Sequence, residues 1–120
     1  AQQIVQSVID SGQAFNVIYA ENDDMAKGAV AALDKANISH GVGKDVIVMG
    51  FDCNKWALEE LLNQNWNYDG QCNPYQASYI EDVIKKLEAG ETLDEKTIIM
   101  DEKGFDATTI TQDDVDQFGI

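Results

Sequence analysis

Apolar positions along the chain switch repeatedly between helical and strand spacing. Ile4, Val5, Val8 and Ile9 recur at helical intervals, and Gly12 ends the run as a C-terminal glycine does. Phe15-Asn16-Val17-Ile18-Tyr19-Ala20 is a short β-rich run, too apolar for a half-exposed strand, and predicts a buried parallel strand. Asn22-Asp23-Asp24 supplies capping side chains and negative charge at a helix start, and Met25, Ala29, Val30, Leu33 and Ala36 give that helix one face. After the loop Gly41-Val42-Gly43-Lys44, the run Val46-Ile47-Val48-Met49 predicts a second buried strand. Asn54 is the expected cap of a helix carrying Trp56, Leu58, Leu61 and Leu62. Trp66 to Cys72 reads as a third strand interrupted by Gly70. Pro74 and Tyr75 open a helix with Ile80, Val83, Ile84 and Leu87, closed by Gly90. Thr97-Ile98-Ile99-Met100 is expected as a last strand, with the acidic segment from Asp101 to Ile120 as an irregular cover over an edge.

Strand and helix alternating at these intervals define an α/β domain with a mostly parallel sheet. Such sheets bind ligands at the carboxyl ends of their strands. That rule singles out Glu21-Asn22-Asp23-Asp24, Asp52-Cys53-Asn54 and Cys72-Asn73, segments rich in the carboxylates and carboxamides that hydrogen-bond hydroxyl groups. For Asn22 and Asp52 the competing reading is structural, since polar residues at strand ends often cap the next helix.

Composition narrows the ligand. The 120 residues carry 22 acidic and 8 basic side chains, a net charge of −14, which repels nucleic acid and anionic lipid and suits a neutral or cationic ligand. Much of that charge is expected on a solvated surface. No apolar run reaches membrane-spanning length. Ala1-Gln2-Gln3-Ile4 reads as the interior of a helix, so the chain is expected to begin inside a larger protein, with any leader upstream. Cys53 and Cys72 permit one disulfide but match no metal spacing, and two free thiols are the simpler expectation.

Three segments resemble the ribose- and galactofuranose-binding branch of the type I periplasmic binding proteins. Tyr19-Ala20-Glu21-Asn22-Asp23-Asp24-Met25-Ala26-Lys27-Gly28-Ala29 is similar to the family's strand, asparagine, acidic pair and small-residue helix. Gly43-Lys44-Asp45-Val46-Ile47-Val48-Met49-Gly50-Phe51-Asp52 is like its Gly-Phe-Asp strand end. Cys72-Asn73-Pro74, leading into Leu87-Glu88-Ala89-Gly90-Glu91, looks like its lobe-crossing segment and the helix that follows. Order and spacing agree over nearly the whole chain. The resemblance implies a three-layer α/β sandwich, here an incomplete C-terminal lobe spanning residues 1–120, with the helix of residues 75–88 belonging to the other lobe. It implies the substrate-binding component of an extracytoplasmic ABC sugar transporter, holding a neutral monosaccharide between two lobes without cofactor, metal or catalysis. Implied partners are the membrane permease and the N-terminal portion of the same protein, with self-association expected where that portion is missing.

Carried over by position, Asn22 and Asp52 fall where the family bonds sugar hydroxyls. Cys72 stands where the ribose-like branch has glutamine, which speaks against ribose itself and leaves Gln71 or Asn73 to supply the carboxamide. Among Trp56, Trp66, Tyr68 and Tyr75, Trp56 is the preferred residue to stack on a sugar, against the alternative that it is core. His40 is expected to stand alone in a loop. The carboxylate pairs Asp23-Asp24, Glu59-Glu60 and Asp113-Asp114 point apart on a helix and make poor catalytic dyads. Gly41-Val42-Gly43 precedes a strand and is no dinucleotide fingerprint. The competing classes are the effector-binding domain of a lactose-repressor-like regulator, which shares the fold, and a receiver- or flavodoxin-like domain using Asp52 and Lys103.

Overall fold

A computed structural model describes residues 1–120, which divide into two compact units: residues 1–72 with 103–120, and residues 73–102. In the first unit, α1 (Gln2–Asp10) precedes β1 (Val17–Tyr19), α2 (Asp23–Lys35), β2 (Ile47–Asp52), α3 (Lys55–Leu62) and β3 (Tyr68–Gln71). The second unit holds α4 (Ala77–Glu88), and the chain then returns to the first with β4 (Gly104–Asp106) and α5 (Gln112–Phe118).

The sheet runs β1-β2-β3-β4, with β1, β2 and β3 parallel and β4 antiparallel to β3. The expected α/β architecture is therefore present. Two expectations near the C-terminus fail. Residues 97–100 form no strand, and the segment expected to be irregular supplies both β4 and α5. A short apolar run becomes a strand only where a neighbour accepts its backbone, and residues 97–100 lie in the unit that has no other strand. β4 holds one buried apolar residue, Phe105, which explains why its pattern is faint.

Alternation along β2 sorts the two faces of the sheet. Val48 and Gly50 point into the core, while Ile47 is exposed and Met49 and Phe51 are half-buried. On the covered face, Leu33 from α2, Ala57, Leu58 and Leu61 from α3, Val115 from α5 and Phe105 form one buried cluster with Trp66, and Val5 and Ile9 of α1 pack against it. The opposite face carries Val17, Tyr19 (64 % exposed), Ile47, Met49, Phe51 and Tyr68. The chain thus provides the sheet and one helix layer of the sandwich, and its incompleteness falls on the second face.

Gly50 marks the tightest point of the core. A Cβ there would lie 2.6 Å from Asp23 Oδ1 and 2.9 Å from Trp66 Cζ3. Gly50→Ala is expected to cost about 1–3 kcal/mol, because neither the buried carboxyl nor the indole has room to retreat. Urea unfolding of the two proteins checks this, and an unchanged midpoint would contradict the packing described.

The second unit is built around α4, whose Tyr79, Ile80, Ile84 and Leu87 are exposed. Tyr79, Ile80 and Ile84, with Val83, Ile98 and Met100, border an apolar groove of about 250 Å³.

Candidate functional site

Strands β1, β2 and β3 run in one direction, so their carboxyl ends and following loops share one edge. Asn22 follows β1, Asp52 ends β2, and Cys72 follows β3, whose last residue Gln71 is the register partner of Asp52. The first unit therefore brings Asn22, Asp52 and Cys72 to a common edge. Asn73 opens the second unit, where its Oδ1 accepts from Tyr75 N–H (2.8 Å) and its own N–H donates to Glu102 (2.7 Å).

Asn22 is half-buried, and its Oδ1 accepts from Met25 N–H (2.8 Å) as the N-cap of α2. The capping role is thus real, and it leaves the Nδ2 group without a bond in the chain. The Asp52 carboxylate has no partner in the chain and is half-buried. Asp52 (φ +119°) and Cys53 (φ +61°) are consecutive non-glycine residues in the left-handed region, which costs about 1–3 kcal/mol each and persists only where the surroundings enforce it. The C-terminus does so here. Ile120 N–H donates to the Cys53 carbonyl (3.1 Å), and Lys55 N–H donates to the Ile120 carbonyl (3.0 Å). The strained turn re-aims the end of β2 and presents the Asp52 carboxylate at the edge.

Trp56 is not brought to this edge. It packs edge-on against Trp66 (centroids 5.8 Å apart, 86°), with Lys27 Nζ 4.5 Å from its ring centroid. It lines a groove of about 450 Å³ with Lys27, Asp34, His40 and Glu60, between α2 and α3. The spacing that places Trp56 soon after Asp52 also rotates it onto the helix layer. Gln71 is committed as well, since its Oε1 accepts from Lys103 N–H (3.2 Å). His40 is not alone: Nδ1 meets Asn65 O (2.8 Å) and Nε2 meets Asp34 Oδ1 (3.0 Å). Lys103 Nζ sits 4.0 Å from the Phe118 ring centroid, which removes it from any receiver-like pairing with Asp52. Cys53 is buried, Cys72 is exposed, and both are free thiols.

Behind the edge lies a feature with no clear trace in the sequence, a pair of carboxyls at 0 % exposure, Asp23 and Asp69. Asp23 Oδ2 accepts from both Asn54 N–H (2.8 Å) and Asn54 Nδ2 (3.1 Å), so Asn54 stands at the expected N-cap position of α3 but spends its side chain on Asp23. The Cys53 thiol lies 3.9 Å from Asp69 Oδ1. Burial is the main force raising the pKa of both carboxyls, and the negative charge of Asp23 adds to it at Asp69, which reaches about 8. Burial also drives the Cys53 thiol upward, reinforced by the same carboxylates.

Comparison with known proteins gives this geometry a context. No family model matches the chain. It is 31 % identical over 111 residues to the fructose import binding protein FruE of Bifidobacterium longum, a match covering 91 % of this chain and 32 % of that protein. A Mycobacterium smegmatis protein solved in complex with β-D-fucofuranose superposes with TM-score 0.76 at 28 % identity, over 89 % of this chain and 34 % of that one. A galactofuranose binding protein superposes with TM-score 0.83 at 22 % identity, over 98 % of this chain and 40 % of that one, a likeness of fold. In sequence the chain is similar to sugar-import binding proteins, and in fold it is similar to sugar-binding proteins. It spans about a third of the length of the curated relative, a part consistent with the C-terminal portion. FruE and the galactofuranose protein are both described as binding proteins.

Proposed function

We propose that this chain forms one wall of the ligand cleft in the substrate-binding component of a bacterial ABC sugar importer, which holds a neutral monosaccharide reversibly and without chemistry. The observation that carries the reading is the Asp52 carboxylate, unpartnered and held by a strained turn at the strand-end edge, with Asn22 and Cys72 on the same edge. A carboxylate accepting from two vicinal hydroxyls forms charge-assisted bonds stronger than neutral ones. Asn22 Nδ2 adds a donor, and Asn73 remains a proposed contributor through the crossing segment. The net charge of −14 accords with a neutral ligand.

The relatives also support the remaining parts of the reading. The separate clustering of residues 73–102 supports assigning α4 to the opposite lobe, with Cys72–Asn73 and Glu102–Lys103 as the chain crossings. The partners are then the N-terminal portion of the protein and a membrane permease, and the location is extracytoplasmic. No helix in the chain is long and apolar enough to cross a membrane.

Titration calorimetry of the full-length protein against a panel of neutral sugars tests the proposal. Binding of one monosaccharide at micromolar or tighter affinity, about −8 kcal/mol or better, is expected. Asp52→Ala should lose about 1.5–3 kcal/mol of it by stranding sugar hydroxyls without an acceptor. Equal affinity in the Asp52→Ala protein, or no sugar bound at all, would remove the assignment.

A further inference from the structure

The two buried carboxyls behind the strand-end edge leave one oxygen each without a partner, Asp23 Oδ1 and Asp69 Oδ2. Buried polar atoms in a folded protein are nearly always satisfied, and a buried carboxylate left bare is among the costliest exceptions. Sheet geometry brings the two side chains together. Asp69 is the register partner of Gly50 on the covered face of the sheet, and Asp23 Oδ1 occupies the space directly above Gly50. The missing Gly50 side chain leaves room for the Asp23 carboxyl over β2, next to the strand position that carries Asp69, so both orphan oxygens lie buried in the same part of the core.

Two carboxylates could not bond each other there, since neither can donate. One proton between them satisfies both orphan oxygens at once. The surroundings decide which residue carries it. Asp23 Oδ2 already accepts two bonds from Asn54, which favours the anion on Asp23, whereas Asp69 has the long contact to the Cys53 thiol and a single backbone hydrogen bond from Cys53 that favours its charged form. The other titratable groups facing the pair are Asp52 at the end of β2 and Cys53. Cations on adjoining elements are engaged elsewhere: Lys27 over Trp56, Lys55 with Asp116 (3.2 Å), and Lys103 over Phe118. A shared proton, not a salt bridge, therefore holds the site together.

We propose that Asp23 and Asp69 share one proton, donated from Asp69 Oδ2 to Asp23 Oδ1, and act as a positioning pair that ties the loops after β1 and β2 to β3. Asp23 adjoins Asn22, and its other oxygen grips Asn54, two residues beyond Asp52, so the pair fixes the relative placement of Asn22 and Asp52. The positioning part rests on the sugar-edge reading above; the shared proton does not.

The sign of the pH effect follows from the pair being held protonated in the folded chain. Asp69 rises from an ordinary value of 3.8 to about 8, so the stabilisation is complete below about pH 4, falls as pH rises through the interval, and is gone above about 8. Release of one proton makes the folding equilibrium constant drop by up to about tenfold per pH unit within that window. Asp106, Asp114 and Asp116, whose pKa values are lowered by hydrogen bonds from Thr108, Thr111 and Lys55, act below the window, and Cys53 acts above it.

Two measurements on the full-length protein test the pair. Infrared spectra at neutral pH should show the carbonyl stretch of a protonated, buried carboxylic acid, lost in Asp69→Asn. Urea midpoints between pH 4 and 8 should fall for the wild type and stay flatter for Asp69→Asn, whose amide donates the same bond without titrating. Comparing the two proteins cancels the one histidine, His40, which is common to both. Absence of the acid band, or parallel pH profiles, would overturn the shared proton. Positioning is tested by sugar titration: Asp69→Leu should bind about tenfold more weakly, with Asp69→Asn restoring most of the affinity. If both variants bind as the wild type does while Asp52→Ala does not, the positioning role is wrong and the sugar edge stands. If Asp52→Ala also binds normally, the edge assignment itself has failed, and the positioning role falls with it.

Discussion

The 120-residue chain by itself is expected to bind no monosaccharide at micromolar concentration. A sugar leaving water must exchange every hydroxyl hydrogen bond for one from protein, and each group left unmatched costs about 1–3 kcal/mol. The edge bearing Asn22 and Asp52 supplies one wall, and the sugar must still be immobilised against it. Affinity should fall from about −8 kcal/mol in the full-length protein to about −4 kcal/mol or weaker, the millimolar range. The chain also leaves Tyr19, Val17 and Ile47 of the sheet and Ile80, Ile84 and Leu87 of α4 exposed, so by itself it should self-associate. Light scattering with sugar titration of the purified chain decides the matter. A stable monomer binding a monosaccharide at micromolar concentration would show that the site is complete without a second wall.

Trp66→Ala should destabilise the chain by about 3–5 kcal/mol, the range for deleting a buried aromatic from a tight core. Trp66 is 1 % exposed, is the largest fully buried side chain, and meets Trp56 edge-on while crowding Gly50. Its removal opens a cavity beneath the covered face of β2, the strand that carries Asp52. Chemical unfolding gives the cost directly. A loss below about 1 kcal/mol would mean that the α2 and α3 layer collapses freely into the gap, contrary to the packing described.

Much of the architecture is legible in the sequence because its elements obey local rules. The apolar runs around Ile18 and Val48 do become β1 and β2, and Asn22 does cap α2, but the burial expected of those strands fails on the second face, where Val17, Tyr19 and Ile47 are exposed. Boundaries shift by a few residues, since β2 extends through Gly50-Phe51-Asp52 to the site. The elements that were missed depend on partners distant in sequence. β4 is a strand because β3 accepts it, whereas residues 97–100 are more apolar and have no such neighbour. For α5 a local signal did exist: Thr111 and Asp114 form a reciprocal capping box, visible as threonine followed three residues later by an acid.

The site divides in the same way. Parallel strands must end on one edge, so the placement of Asn22, Asp52 and Cys72 follows from topology alone. The fate of Trp56 depends on how α3 rolls onto Trp66, which spacing does not specify. The burial of Asp23 is harder still to foresee, because an acid in the first turn of a helix ordinarily faces water. Here it is drawn inward by the vacancy at Gly50 and by the two donors of Asn54.

The two cysteines also differ in chemical reach. Cys53 is enclosed, and its thiolate is suppressed by burial and by the neighbouring carboxylates, whereas Cys72 is open to solvent just past the tip of β3. The chain therefore offers a single addressable thiol without any engineering, at one end of the strand-end edge. A fluorophore attached there would sit at the edge proposed above to face the ligand, where it would report on binding optically.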